Sequence, residues 1–430
     1  MKKSTFSIAL ILFSFTNLYS QTWTQQNLNF KNIGLGPLKI SIADANTAWC
    51  VSSYFLNTHE FSRTTDGGNT WVTDTIDSLP QRSAFTGIAA IDSVNAFICV
   101  DLYGLGGAVF KTIDGGATWN RLGTNVLFTD SNSYPNEIYF WDAANGIVFG
   151  DPIDVGGINE IYLTSDSGKS WSQVSAPNIP PGSGGTFMNY GPMVVIDSTI
   201  WFQTYSGYIF KSIDRGHYWT KTVINTAIGS IFSLCFLDDK IHGLAIANGN
   251  TPLETTDGGN TWSLFTPTGV GPWYLTRAIP GTNYYVSVQD NGTHSSYSPD
   301  YGHTWIPFDS VTSHSCLAFK DINTGFAGSK PISTTEGGIY KWDAGIVGIN
   351  PPVTNNQNTI FPNPVTTELT IRSSQKMDEI RILDLLGKQL LSLKIHSLEI
   401  PINVNNLHTG IYLIQIISDD KISVQKFIKQ

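Results

Sequence analysis

An eight-residue pattern, Ser/Thr-x-Asp-x-Gly-x-x-Trp, recurs six times and constrains the fold of this chain more than any other feature. The copies run from Thr64 to Trp71, Thr112 to Trp119, Thr164 to Trp171, Ser212 to Trp219, Thr255 to Trp262 and Ser298 to Trp305. Their aspartates, Asp66, Asp114, Asp166, Asp214, Asp257 and Asp300, fall 48, 52, 48, 43 and 43 residues apart. A period of about 40 to 50 residues with strand-like flanks is the spacing of propeller blades, each a sheet of four strands. The box itself has the chemistry of a hairpin. Its Asp can accept hydrogen bonds from its own turn, its Gly can take φ > 0, and its Trp can bury a large ring. These six aspartates are therefore expected to form turns rather than to act as catalytic acids or metal ligands.

A second element, Asp-x-x-x-Ala/Gly followed by an apolar residue, begins at Asp44, Asp92, Asp142, Asp239 and Asp321. It reads as the turn of the inner hairpin of a blade. The regions around Asp197 and Gly281 depart from it, and their hairpins are less clearly marked. The lead-in to the second box, Gly106-Gly107-Ala108-Val109-Phe110-Lys111, reappears as Gly337-Gly338-Ile339-Tyr340-Lys341, but no box follows there. The missing box ending stands near the other terminus, as Thr22-Trp23-Thr24. This predicts that the N-terminal strand completes a seventh blade and leaves no open sheet edge.

Composition agrees with an all-β chain: 12% aromatic residues and 40 glycines against 14% charged residues suit short strands and tight turns. The expected architecture is a seven-bladed β-propeller over residues 21–345, a linker over 346–358 and a small β-sandwich over 359–430. Residues 1–20, with Lys2-Lys3, an apolar run from Phe6 to Phe15 and a polar stretch ending at Ser20, have signal-peptide anatomy. No later stretch approaches the ~20 apolar residues of a membrane span, so no integral membrane segment is expected. Cys50, Cys99, Cys235 and Cys316 lie far apart inside apolar runs and are read as buried thiols without a bridge.

Outside the tail and the leader, the 430 residues hold 15 Lys/Arg and 27 Asp/Glu, a balance of -12. Such a ring repels phosphate backbones, so nucleic acid is not an expected partner.

The boxes resemble those of the Asp-box, or BNR-repeat, propellers, over Gln21 to about Gly345. That group includes sialidases, xyloglucan-active glucanases, sortilin-type receptors and a photosystem-assembly factor, so the resemblance implies a fold and leaves the activity open. The tail carries Pro362-Asn363-Pro364, Asp384-x-x-Gly387, Leu407-x-x-Gly410-x-Tyr412 and Lys426-Phe427-Ile428-Lys429. Together these resemble a type A sorting domain of the Bacteroidetes type IX secretion system. The resemblance implies passage through the periplasm to the medium or the outer cell surface, with the secretion machinery as a partner.

Signatures of zinc, phosphate-loop and serine-hydrolase chemistry (His-Glu-x-x-His, Cys-x-x-Cys, Gly-x-x-x-x-Gly-Lys-Ser/Thr, Gly-x-Ser-x-Gly) do not occur, and no cofactor or metal is expected. Sialidases of this fold hold their substrate with three arginines. Here Arg63, Arg121 and Arg215 lie in or beside boxes, which leaves Arg82 and Arg277. A different glycosidase would need only two carboxylates across a cleft. Asp101, Asp151, Asp154 and Asp290 are the candidates on face loops, though each also reads as a turn residue. Tyr134, Tyr190, Trp273 and Tyr274 are aromatics that could stack on sugar rings or simply pack the rim. The expectation is a binding or adhesion module for a glycan or protein ligand. A glycan-active hydrolase is the alternative.

Overall fold

The computed structural model describes residues 23–32, 34, 36–52, 59–154, 156–182, 193–224, 229–273, 275–290, 292–343, 358–383, 389–418 and 421–430. The proposed leader, Tyr190, Tyr274, most of the linker and Asp384 with its following turn lie outside these residues. The chain divides into two compact units, Met1–Ile346 and Val347–Gln430.

The first unit is a ring of seven sheets, antiparallel except that Thr268–Gly269 joins blade six parallel to Thr304–Asp309. Blade two shows why the repeat makes one. Ala84–Ala90, Ala96–Asp101 and Gly107–Thr112 are apolar strands buried almost throughout, and Asn120–Leu122 is the more polar outer strand. The innermost strands of the seven blades are Pro37–Ile42, Ala84–Ala90, Pro135–Phe140, Val194–Ile196, Ile231–Phe236, Leu275–Ala278 and Cys316–Asp321. They gather round the common axis.

The regions around Asp197 and Gly281 do form inner hairpins. Ile196 pairs with Thr199 and Ala278 with Tyr285, with Asp197 at φ 53° and Gly281 at φ 78° supplying the tight turns. Where the regular signal is present, the aspartate makes the turn: Asp92 Oδ1 accepts the N–H groups of Val94 and Asn95, both at 2.8 Å.

Each box is a hairpin closed by its own side chains. Asp66 Oδ1 accepts the Thr70 N–H at 2.9 Å and the Thr64 hydroxyl at 2.8 Å, while Oδ2 accepts the Thr70 hydroxyl at 2.6 Å. The Thr64 hydroxyl oxygen in turn accepts the Gly68 N–H at 2.9 Å. The box tryptophan then reaches into the preceding blade. Trp119 of blade two packs edge-on to Trp49 and Phe61 of blade one, and Trp71 of blade one packs edge-on to Phe326 of blade seven. Gly116 (φ 96°) lies so close to the Phe61 ring that a Cβ would stand 2.2 Å from it.

Blade seven closes the ring with a strand from the other end of the unit. Trp23–Asn27 pairs antiparallel with Glu336–Trp342, in register from Trp23 opposite Trp342 to Asn27 opposite Gly338. Trp23 is 2% exposed among Phe308, His314, Phe319 and Trp342, and its Nε1 donates to the Ser295 hydroxyl at 3.2 Å. It occupies the place of a box tryptophan.

The second unit contains five strands, Asn358–Phe361, Glu368–Leu383, Gln389–Asn403, Gly410–Ser418 and Lys421–Lys429. Its core includes Val365, Leu369, Met377, Ile380, Ile414 and Phe427. Three of its motifs meet there. Tyr412 stacks on Phe427 with ring centres 5.6 Å apart, and Asn363 Oδ1 accepts the Ile428 N–H at 2.9 Å.

Candidate functional site

Strand direction assigns every loop of the ring to one of two ends. In each blade the first strand starts at one end and turns back at the other, and in the first six blades the third strand runs down to the box. Box hairpins and inner turns therefore share one end. The loops between blades share the opposite end with the loops that join second and third strands.

The box aspartates belong to the box end, and their chemistry is structural. In Asp66, Asp114 and Asp166 the side-chain hydroxyl four residues on, then the N–H of that same residue, hold the carboxyl down at about 2. A carboxylate so occupied has no proton to give near neutral pH.

Of the other candidates, Arg82, Asp101, Tyr134, Asp151, Asp154, Trp273 and Asp290 lie at the loop end, but in different blades. Arg82 is exposed on the loop between blades one and two. Asp101 ends the second strand of blade two, and burial pushes its carboxyl up to about 6 while Oδ1 accepts the Tyr103 N–H at 3.0 Å. Asp151, the corresponding residue of blade three, is buried and accepts the Asn136 side-chain N–H at 2.7 Å. The Tyr134 carbonyl accepts the Asp151 backbone N–H at 2.9 Å. Asp290 lies in blade six, and its carbonyl accepts the Ser313 hydroxyl. Trp273 is only partly exposed: its Nε1 is buried with no protein acceptor, and its ring centre is 6.1 Å from that of His294. Asp101, Asp151 and Asp290 do not line the cavities of about 340 and 450 Å³ found among the described residues.

Asp154 does share one, with a residue that sequence reasoning passed over. Ile153, Asp154, Gly157, Asn159, Glu160 and Val174 help line a cavity of about 450 Å³ in blade three. Glu160 is 4% exposed, and burial raises its carboxyl above the ordinary value. Tyr162 donates to its Oε1 at 2.8 Å and the Ser133 hydroxyl also hydrogen-bonds the carboxylate, whereas the neighbouring Asn159 Oδ1 is buried with no partner among the described residues. In the sequence Glu160 is one polar residue in an ordinary strand, Asn159-Glu160-Ile161-Tyr162-Leu163-Thr164.

Arg277 faces neither end loop. It lies on the innermost strand of blade six, where its Nη1 donates to the Thr276 carbonyl at 2.6 Å and to the Ser233 hydroxyl of blade five at 3.2 Å. Two further axial charges also escaped notice in the sequence. Lys39 of blade one pairs with Glu137 of blade three at 2.5 Å. The pair spans blade two because Gly87 has no side chain there; a Cβ would stand 2.8 Å from Glu137 Oε1. Aligning the repeats on their first strands would have placed these charges at like positions.

The four cysteines are free and buried, and burial pushes Cys99, Cys235 and Cys316 up to about 12, so they are poor nucleophiles. Among the described residues no group of three or more His, Cys, Asp or Glu could hold a metal.

Residues 359–430 match the family described as the secretion system C-terminal sorting domain, and residues 78–235 match that of the photosynthesis system II assembly factor YCF48. The chain is a BNR-repeat β-propeller with a type IX C-terminal sorting domain. Among solved structures it is similar to YCF48 bound to D1 peptide, at 18% identity over 75% of this chain and 96% of that one, with a TM-score of 0.54. It is also similar to PorZ, an essential bacterial surface component of the type IX secretion system of Porphyromonas gingivalis. That likeness has 14% identity over 92% of this chain and 59% of that one, with a TM-score of 0.50. An ancestral GH74 enzyme matches at 13% identity over 95% of this chain and 63% of that one, also at 0.50. These identities establish a shared fold and no more. No curated protein matches the chain. The sorting domain marks the propeller for export to the cell surface or beyond. Among the described residues no helix is long and apolar enough to cross a membrane.

Proposed function

We propose that this propeller is an exported binding module, acting at the outer cell surface or in the medium, whose glycan or protein ligand docks on the loop end of the ring. The supporting observation is where buried polar atoms lack protein partners. Among the described residues, those at the loop end include Glu60 Oε2, Asn159 Oδ1, both amide atoms of Gln203 and Trp273 Nε1. At the box end they are two indole N–H groups, of Trp71 and Trp119. Buried polar groups in folded proteins are nearly always hydrogen-bonded, so a concentration of exceptions at one end favours that end for recognition.

The alternative is a glycan-active hydrolase, favoured by one feature: Asp154 and Glu160 line the same cavity, and burial biases Glu160 toward its protonated form. A glycan array run alongside hydrolysis assays on the mature protein, repeated with Glu160→Gln and Asp114→Ala, separates the readings. The binding module retains a ligand without turnover, and Asp114→Ala leaves that binding intact. Turnover abolished by Glu160→Gln would establish the hydrolase. Loss of binding in a folded Asp114→Ala protein would refute the loop-end assignment.

The address is tested separately. A chain ending at Asn358 should accumulate folded in the periplasm of a type IX-competent host, while the full chain reaches the surface or medium. Normal delivery of the shortened chain would refute the role of the tail.

A further inference from the structure

The axial charges do not balance. Lys39 and Glu137 neutralise each other at 2.5 Å. Arg277 takes part in none of the ion pairs among the described residues. Its side chain is half-buried, with Nε shielded from water. Burial lowers its pKa, against the weaker opposing field of Glu137. Blades three and six stand on opposite sides of a seven-membered ring, so Glu137 acts on Arg277 across the axis.

The hydrogen bonds of Arg277 are one-sided. Nη1 is held by Thr276 and Ser233, which fixes the plane of the guanidinium. Nε is buried with no acceptor, and no acceptor for Nη2 is found among the described residues. Nε and Nη2 form the side-on edge that meets two oxygens of a planar anion in parallel hydrogen bonds. A half-buried cation with no counter-charge and an unmatched Nε is costly, and an anion on that edge reduces the cost.

We propose that Arg277, on the innermost strand of blade six, binds an oxyanion, the carboxylate, phosphate or sulfate group of a ligand, on its Nε–Nη2 edge. The site takes one such group rather than a polyanion. Its surplus is a single positive charge, set inside a ring whose sequence carries -12 overall. This inference rests on the axis alone and stands whether or not the loop end binds a glycan.

The test is isothermal titration of the mature full chain with acetate, phosphate and sulfate in turn, at constant ionic strength made up with chloride. At least one oxyanion is expected to bind, with affinity reduced tenfold or more by Arg277→Gln. The order of affinities identifies which group the site prefers. Because Arg277→Gln could impair folding, Glu137→Gln supplies an independent sign: removing the negative charge should tighten oxyanion binding severalfold. No binding to the wild type, equal binding by folded Arg277→Gln, or weaker binding by folded Glu137→Gln would each overturn the proposal.

Discussion

Replacing Trp23 with alanine tests the closure of the ring at a single side chain. Trp23 is 2% exposed, surrounded by four aromatic rings, and its Nε1 donates to Ser295 across to blade six. Removing a buried tryptophan costs about 3–5 kcal/mol from lost burial and the cavity left behind. The ring spans residues 23–343. At about 2.1 cal/mol/K per residue, a ring of that size has an unfolding entropy of about 0.7 kcal/mol/K, so the cost corresponds to a fall in Tm of about 4–7 °C. Calorimetry of the mature protein measures it. Hydrogen exchange should also show faster opening of Glu336–Trp342, which is the partner of the strand that Trp23 anchors. Combining Trp23→Ala with Trp342→Ala, whose rings meet at 5.1 Å, should cost less than the sum of the two single changes. A fall in Tm below about 1 °C for Trp23→Ala would refute the claim that the N-terminal strand closes the ring, since a tryptophan on an undocked strand contributes almost nothing.

Two glycines separate backbone strain from steric conflict. Gly104→Ala (φ 77°, nothing within 4 Å of the new Cβ) should cost about 1–2 kcal/mol by chemical denaturation, the penalty of the left-handed region alone. Gly116→Ala, driven into the Phe61 ring, should cost clearly more; equal costs would contradict the packing of box two against blade one. Acid should unfold the ring through its boxes. The carboxyls of Asp66, Asp114 and Asp166 titrate near 2 when folded, below the ordinary 3.8, so their stabilisation is present above about pH 4 and is lost as pH falls toward 2. Asn in place of all three should flatten the stability-versus-pH curve in that window, and an unchanged curve would contradict it. Finally, Glu137→Gln leaves Lys39 partly buried and unpaired and should destabilise by roughly 3 kcal/mol, whereas Glu137→Leu with Lys39→Met should recover most of that loss. Additive losses in the double variant, measured by denaturant unfolding, would contradict the pairing.

The likeness to YCF48, PorZ and an ancestral GH74 enzyme places one ring fold beneath three differently described proteins.

The boxes were legible in the sequence because their bonds are local. Asp66, Thr64, Gly68 and Thr70 satisfy one another within seven residues, so residue identity and spacing determine the hairpin. Closure was legible for a related reason: a box ending near Trp23 and a lead-in near Gly338 are two halves of one local pattern. The loop end as a whole could also be inferred, since strand alternation alone assigns Asp101, Asp151, Asp290 and Trp273 to it. What each of these residues meets was decided by the tertiary structure. Asp154 shares a cavity with Glu160, and Arg277 lies on the innermost strand of blade six against Ser233 of blade five. The Lys39–Glu137 pair joins positions 98 residues apart over a third blade and exists because Gly87 makes room for it. Such contacts depend on the distance between blades after the ring has closed. A charge within an apolar strand carries no local sign of which opposite charge, if any, will stand across the axis from it.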